Sequence, residues 1–151
     1  MDIRIEKTTL ALLDTAYTLT RELMIYHDAL DIFTMTKERM GELIESKILY
    51  SYIAYSDDMP VGIMNFFFKL TTFTGRKILY IEDLYARKEA RGLGVGSSLL
   101  ELAKKTASEN DCEQIELKCA VWNEKSAEFY NAKGFESDSD WNTFIMDRNK
   151  F

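Results

Sequence analysis

The spacing of apolar residues at the start of the chain predicts a strand followed by two amphipathic helices. Ile3 and Ile5 alternate with polar residues, as in a half-buried strand. Thr8 or Thr9, residue types that cap a helix start, introduces the first helix. Its apolar residues recur at helical spacing, at Leu12, Ala16, Leu19 and Leu23. Thr36 introduces the second helix, whose apolar residues are Met40, Leu43 and Ile44.

The middle of the chain has the pattern of antiparallel strands. Two apolar runs, 48–55 and 61–70, flank the turn-forming residues 57–60, which predicts a β-hairpin. A third run, 77–85, is rich in β-branched and aromatic residues and predicts another strand. This strand leads into a loop, 86–94, that ends in glycines.

The last third predicts one crossover unit. A helix follows the glycines, with apolar positions at Val95, Leu99, Leu102 and Ala103. We then expect a strand over 114–121, a short helix over 124–132 and a final strand over 142–148. Antiparallel strands followed by a crossover predict an α+β fold, in which a mixed, mostly antiparallel central sheet carries helices on both faces.

Composition limits the class of protein. The 151 residues include one proline and seven glycines, with no linker-like stretch, so we expect one domain over 1–151. A formal charge of −6 argues against general nucleic-acid binding. No apolar run is long enough to cross a membrane, and the first residues lack signal-peptide features. With only Cys112 and Cys119, no disulfide framework is expected, and we predict a reduced, cytoplasmic protein.

A metal site is not expected from this sequence. His27 is the one histidine, and no cysteine or second histidine stands at ligand spacing from it. Neither cysteine has a companion base in the sequence, so both are interpreted as small apolar residues.

The segment 91–97 is the most informative stretch of the chain. It reads Arg91-Gly92-Leu93-Gly94-Val95-Gly96-Ser97 and opens onto a predicted helix. Glycines let a ligand approach the backbone, and amides at a helix start bind phosphate. The spacing matches neither the dinucleotide fingerprint nor the nucleoside-triphosphate loop. The glycines taken alone also allow a simple turn between a strand and a helix.

In context, Arg91-x-x-Gly94-x-Gly96 after a strand resembles the pyrophosphate-binding pattern of the GCN5-related N-acetyltransferases (GNAT). Residues 122–135, which run from Trp122 through Asn123 and Tyr130 to Gly134-Phe135, resemble the second signature of that family. The resemblance implies acetyl-CoA as cosubstrate, no metal, and a GNAT-like fold. It implies cofactor contacts from Leu84, Tyr85, Ala86, Arg91, Gly92, Leu93, Gly94, Val95, Gly96, Ser97, Asn123 and Ser126. Arg87 and Lys88 are either contacts to the outer phosphate or solvated surface residues.

Within that family, residues 79–85 and 120–124 resemble the diamine, or spermidine/spermine, acetyltransferases. Two departures concern the acceptor: His27 stands where those enzymes have an acidic residue, and 72–74 lacks their Asp and Trp. The resemblance implies a small primary amine as substrate, a homodimer, and an acceptor site formed by Tyr26, His27, Glu82 and Trp141.

Two residues are candidates for catalysis. Glu82 interrupts an apolar strand, where a carboxylate needs a partner or a wet cleft, and family position makes it the base. Without a local bulge, Glu82 and Asp83 face opposite sides of the strand. Tyr130 occupies the motif position of an acid that protonates the departing thiolate. Alternatives are acetylation of an amino acid analogue, an aminoglycoside or a protein N-terminus, or a non-catalytic coenzyme A binding module.

Overall fold

The structure is a computed structural model that describes residues 2–151. Contacts divide the chain into a first compact unit that ends at Lys118 and a second, Cys119–Phe151. No helix in the described part of the chain is long and apolar enough to span a membrane. The expectation of one domain over 1–151 stays a prediction.

The first unit is built on a five-stranded sheet. Its strands lie side by side in chain order: β1 (Ile3–Lys7), β2 (Tyr50–Ser56), β3 (Met59–Leu70), β4 (Lys77–Ala86) and β5 (Gln114–Leu117). All neighbours are antiparallel except β4 and β5, which are parallel. The predicted mixed, mostly antiparallel sheet is therefore confirmed.

Helices cover both faces of this sheet. The α-helices of the chain are α1 (Leu13–Tyr26), α2 (Lys37–Glu45), α3 (Val95–Glu109) and, in the second unit, α4 (Glu124–Ala132). On one face, α1 and α2 pack on β2 and β3 through a core that includes Ala16, Leu19, Met40, Ile53 and Ile63. The buried residues of α3 face the sheet from the other side, because the start of α3 lies against Gly62 and neighbouring strand residues face opposite ways. This confirms the α+β expectation.

The two predicted helix caps have different outcomes. Thr36 is an N-cap: its Oγ1 accepts a hydrogen bond from Arg39 N at 3.1 Å. The predicted side-chain cap at Thr8 or Thr9 is wrong. Thr8 Oγ1 instead donates to Ser51 Oγ at 2.9 Å, and Thr9 makes no side-chain cap bond. The chain first forms a 3₁₀ turn, so α1 begins later than the apolar pattern suggested.

Two predicted strands in the last third also need correction. β5 ends at Leu117 rather than 121. The final strand over 142–148 is wrong: residues 142–147 have no regular structure, and a 3₁₀ turn covers Arg148–Lys150. Phe144 there is 93% exposed. Alternation makes a strand only when a neighbouring strand completes its hydrogen bonds, and these residues pair with none in the described chain.

β4 is paired unequally along its two edges. It pairs with β3 from Lys77 to Ala86, but with β5 only from Ile78 to Ile81. Within residues 2–118, the β5-side edge of 82–86 therefore has no strand partner. The β3–β4 register also shifts at this point, because Asn65 pairs with Asp83 while the next residue of β3 pairs with Ile81. Glu82 is the extra residue of a β-bulge.

Gly62 on β3 allows α3 to begin directly on the sheet. A Cβ at this position would lie 2.6 Å from Val95 Cγ1 and 2.7 Å from the Tyr85 carbonyl oxygen. Val95 is the first residue of α3 and is 1% exposed, so it has little room to move. The absent side chain therefore fixes the distance between the sheet and the start of α3.

Replacing Gly62 by alanine should destabilise the protein. The added methyl group overpacks this contact, so we expect the free energy of unfolding to fall by about 1–3 kcal/mol in urea denaturation. Gly41→Ala is the matched control: a Cβ there meets only leucine side-chain ends, and alanine favours the α2 helix, so its stability should not fall. A Gly62→Ala protein as stable as the wild type would contradict this account of the contact.

Candidate functional site

The glycine-containing segment 91–97 forms an exposed loop and the first turn of α3. Gly92 and Gly94 have φ angles of +81° and +86°, which L-residues rarely adopt, and the space around their Cα atoms is open. Gly94 is the N-cap of α3, with no side-chain cap, and the first turn carries no acidic residue. The glycines are thus needed for the path of the chain, and the helix start is left accessible.

This helix start is suited to an anion. By helix geometry, the amides of Val95, Gly96 and Ser97 have no acceptor within the helix, and the first bond of the turn runs from Ser98 N to Gly94 O at 2.9 Å. Aligned peptide dipoles give a helix N-terminus a partial positive charge. The loop is therefore able to hold a diphosphate, as its sequence predicts.

The predicted cofactor contacts of β4 lie on the part of that strand that β5 leaves unpaired. Leu84, Tyr85 and Ala86 are half-buried, in extended conformation, and lead directly into the loop. An extended ligand can satisfy such a backbone edge as an added strand does. The structure therefore joins a strand edge that has no strand partner within residues 2–118 to the open start of α3 in one continuous path.

A cleft of about 430 Å³ lies beside this path. It is lined by Glu22, Ile25, Tyr26, Tyr85, Lys88 and Arg91. Three predicted site residues, Tyr26, Tyr85 and Arg91, are thus brought together. The Arg91 guanidinium carbon stands 4.9 Å from the centre of the Tyr26 ring, and Arg91 Nε donates to the Ala86 carbonyl at 3.3 Å. The first contact holds Arg91 against the end of α1, and the second holds it against the end of β4.

Arg87 has a structural role that its sequence position did not reveal. Its Nε and NH2 donate to the two carboxylate oxygens of Glu22 at 3.0 and 2.7 Å, and NH1 donates to the Pro60 carbonyl at 2.9 Å. The pair is partly buried, and its hydrogen bonds raise the pKa of Arg87. Burial, with the Glu22 charge second, raises the pKa of Tyr85. Arg87 therefore fastens α1 to the hairpin, whereas Lys88 lines the cleft.

The two adjacent carboxylates at the bulge in β4 differ in exposure. Glu82 is exposed, whereas Asp83 is 7% exposed and accepts a hydrogen bond from Asn65 Nδ2 at 2.9 Å. Burial raises the pKa of Asp83 to about 6; the Asn65 hydrogen bond opposes this and the nearby Glu82 charge adds to it. Of the pair, only Glu82 is accessible to an acceptor, and its role as base stays a prediction. Asp83 was not a predicted site residue, and a second acid in an apolar strand was the only signal for it.

His27 ends α1 as its C-cap and is exposed. Its ring centre lies 5.5 Å from that of Tyr26, so it adjoins the cleft without lining it. Across residues 2–151, no three histidine, cysteine or acidic side chains are grouped as metal ligands would be.

The second unit carries the other signature residues. Asn123 is the N-cap of α4, and its Oδ1 accepts from Ser126 N at 3.2 Å. This cap fixes the start of the short helix, and cofactor contacts from Asn123 and Ser126 stay predictions. Trp141 follows α4 in an irregular segment and is 70% exposed.

Tyr130 lies in the last turn of α4, against the rings of Phe129 and Phe135. Burial raises its pKa to about 12, and the neighbouring Cys119 adds to the increase. The phenol is therefore protonated at neutral pH and able to donate a hydrogen bond.

The sequence is similar to those of known acetyltransferases. Human spermidine/spermine N(1)-acetyltransferase-like protein 1 is 26% identical over 145 residues, which cover 86% of this chain and 20% of that protein. Thialysine N-epsilon-acetyltransferase of Sus scrofa is 36% identical over 74 residues, 49% of this chain and 43% of that protein. The chain therefore spans less than half the length of these two relatives. The Caenorhabditis elegans enzyme of the latter name is 27% identical over 74% of this chain and 71% of its own.

Solved structures share the fold. A probable acetyltransferase superposes with a TM-score of 0.83 at 22% identity, covering 95% of this chain and 97% of its own. An aminoglycoside acetyltransferase from an uncultured soil metagenomic sample, in complex with sisomicin, superposes with a TM-score of 0.82 at 15% identity, covering 96% and 95%. The model of the Acetyltransferase (GNAT) family matches residues 16–135. Because that match includes β2 to β5, most of α1 and all of α2 to α4, the chain belongs to the GNAT acetyltransferase family.

Proposed function

We propose that this protein transfers the acetyl group of acetyl-CoA to a primary amine of a small cation of the diamine or polyamine type. The observation that carries the proposal is the continuous path from the unpaired edge of β4 to the open start of α3. This path offers amides to the diphosphate and a strand edge to the pantetheine arm. A homodimer and a cytoplasmic location stay predictions.

The acceptor class follows from charge and from the named relatives. Glu82 is exposed at the bulge and the chain carries a net charge of −6, both of which favour a cation. The relatives are named for acting on spermidine/spermine and thialysine, and a structural neighbour holds the aminoglycoside sisomicin. His27 and the segment 72–74 offer fewer negative charges than the diamine enzymes, so a short acceptor suits this chain better than a long polyamine.

Glu82 removes a proton from the acceptor amine before the amine attacks. A primary amine with a pKa of about 10.4 is neutral in only about one molecule in 2,500 at pH 7. The Glu82 carboxylate takes the surplus proton, directly or through water. The free amine then attacks the thioester carbonyl, and a backbone N–H near Tyr85 stabilises the negative oxygen.

Tyr130 acts when the carbon–sulfur bond breaks. At a pKa of about 12, its phenol holds its proton more strongly than a simple thiol, whose pKa is about 8.5. Full transfer to a free thiolate is uphill, so the phenol stabilises the sulfur by a hydrogen bond as negative charge develops. The products are the acetylated amine and coenzyme A. The protonated acceptor loses two protons: one leaves through Glu82 to solvent, and the other, lost as the amide forms, balances the proton that the coenzyme A thiol gains. No covalent intermediate on the protein is formed.

Replacing Gly94 by valine should abolish binding of acetyl-CoA. Valine strains a φ of +86° and covers the amides at the start of α3. Ligand binding to the folded state raises the thermal midpoint, so the shift produced by acetyl-CoA should disappear. Gly75→Val is the matched control, because Gly75 has a φ of +73° in open space away from the loop. An equal ligand-induced shift in Gly94→Val and wild type would refute this placement.

Replacing Tyr130 by phenylalanine should lower kcat by about 10²-fold, because the ring keeps its packing and only the donor is lost. The KM for acetyl-CoA should stay the same. Release of the coenzyme A thiol measures turnover, and Tyr52→Phe, a half-buried tyrosine of the sheet, is the control. If chemistry limits the rate and turnover is unaltered, Tyr130 is only structural.

The acceptor is tested by kcat/KM for putrescine, spermidine, spermine, a lysine analogue and an aminoalcohol without a second cation. We expect the short diamine to be preferred to spermine and to the aminoalcohol, since each exposed charge pair contributes only about 0–1 kcal/mol and a long acceptor needs several. Glu82→Gln should lower these values by about 10-fold or more, while Glu101→Gln, on the surface of α3, should not. Preference for the aminoalcohol, or five values unchanged in Glu82→Gln, would contradict the proposal. Acetyl-CoA binding without thiol release would instead favour a non-catalytic module.

A further inference from the structure

Three buried polar side chains form a hydrogen-bonded chain across the face of the sheet that α1 covers. Thr20 of α1 and Asn65 of β3 are each 1% exposed, and Asp83 of β4 is 7% exposed. Asn65 Nδ2 donates to Thr20 Oγ1 and to Asp83 Oδ2, both at 2.9 Å. Thr20 Oγ1 in turn donates to the Ala16 carbonyl at 2.9 Å. We call this set the Thr20–Asn65–Asp83 chain. None of its members is exposed enough to contact the amine that accepts the acetyl group.

The chain lies at the bulge that exposes Glu82. Asn65 and Phe66 are neighbours on β3 and face opposite sides of the sheet, so their partners Asp83 and Ile81 also face opposite sides. Glu82, between those partners, is the extra residue. If the bulge slipped by one position, Glu82 would pair with Asn65 beneath α1 and Asp83 would take the exposed place. The backbone pattern alone does not choose between two adjacent acids.

The hydrogen bond from Asn65 makes that choice. The Asp83 carboxylate, on the shorter of the two acidic side chains, is held at 2.9 Å by an amide that Thr20 fixes from the opposite side. This arrangement has a cost, because a carboxyl group is buried and Asn65 Oδ1, also buried, has no hydrogen-bond partner. Burial also raises the pKa of Asp83 to about 6. Apolar residues would fill the same space without these penalties.

We propose that the Thr20–Asn65–Asp83 chain is a positioning device for Glu82, which fixes the bulge so that Glu82, and not Asp83, is presented to the acceptor. This inference rests on the proposed acetyltransferase function. Thr20, Asn65 and Asp83 are positioning residues, and their effect on turnover passes through Glu82.

The first test compares two substitutions of Asp83. Asp83→Leu removes the tether and the buried charge, whereas Asp83→Asn keeps an oxygen that can accept from Asn65. We expect kcat to fall about 10-fold or more in Asp83→Leu, the range of a general-base effect, with the KM for acetyl-CoA unchanged. In Asp83→Asn, kcat should fall clearly less. Equal losses in the two variants would show that the charge itself is required and would overturn the positioning role.

A double-mutant cycle shows whether the effect passes through Glu82. In the Glu82→Gln background, Asp83→Leu should lower kcat no further than about twofold, because residues that act as a unit are not additive. An independent 10-fold loss in that background would overturn the proposal. A second pair of variants makes a milder change to the same tether. Thr20→Val removes the hydroxyl that accepts from Asn65, and Thr20→Ser keeps it, so kcat should fall more in Thr20→Val than in Thr20→Ser.

Amide hydrogen exchange tests the tether without relying on activity. Exchange at Glu82 and Asp83 should rise at least about 10-fold in Asp83→Leu and Thr20→Val, and should stay at the wild-type rate in Thr20→Ser. Unchanged exchange in both disrupting variants would refute the tether. If wild-type protein releases no thiol with any amine, the proposed function fails, while these exchange rates still decide whether the chain holds the bulge.

Discussion

The pairing of β4 is the constraint on which the site depends. The strand is held along its whole length by β3, but β5 accompanies it only from Ile78 to Ile81. Where β5 ends, a bulge lies at the exposed Glu82, and within residues 2–118 the following residues have no strand partner on that edge. The predicted cofactor contacts of the first unit, from the pantetheine arm to the diphosphate, follow that edge into the start of α3.

Packing below the strand keeps this edge and the helix start in register. Gly62 lets Val95 pack directly on the sheet, because a side chain there would meet both Val95 and the Tyr85 carbonyl oxygen. On the opposite face, Arg87 donates two hydrogen bonds to Glu22 and so connects the end of β4 to α1. Neither contact involves a residue that has to bind a ligand. Both contacts position the edge of β4 and the start of α3, which are predicted to bind the cofactor.

The sequence was most informative where local chemistry decides structure. The glycines of 92–96, the N-cap Thr36 and the helical spacing after Val95 are short-range signals, and each predicted the local structure correctly, whereas phosphate binding by the glycines stays a prediction. The end of the chain was not, because the alternation over 142–148 needed a partner strand that only tertiary structure could supply. Gly62 and Asp83 were overlooked for a similar reason: their roles come from Val95 and Asn65, which are distant in sequence. The sequence did not predict the bulge at Glu82; a bulge was considered only as an exception to the alternation of the strand.

The most direct test of the account is to map coenzyme A binding on the backbone by NMR amide shifts. The account predicts that the largest changes fall at Leu84–Ala86 and at Gly92–Ser97, with the Asn65 backbone amide little affected, since a bound ligand would lie along the free edge and over the start of α3. Large changes confined to residues away from β4 and the loop, with these two segments unmoved, would contradict it.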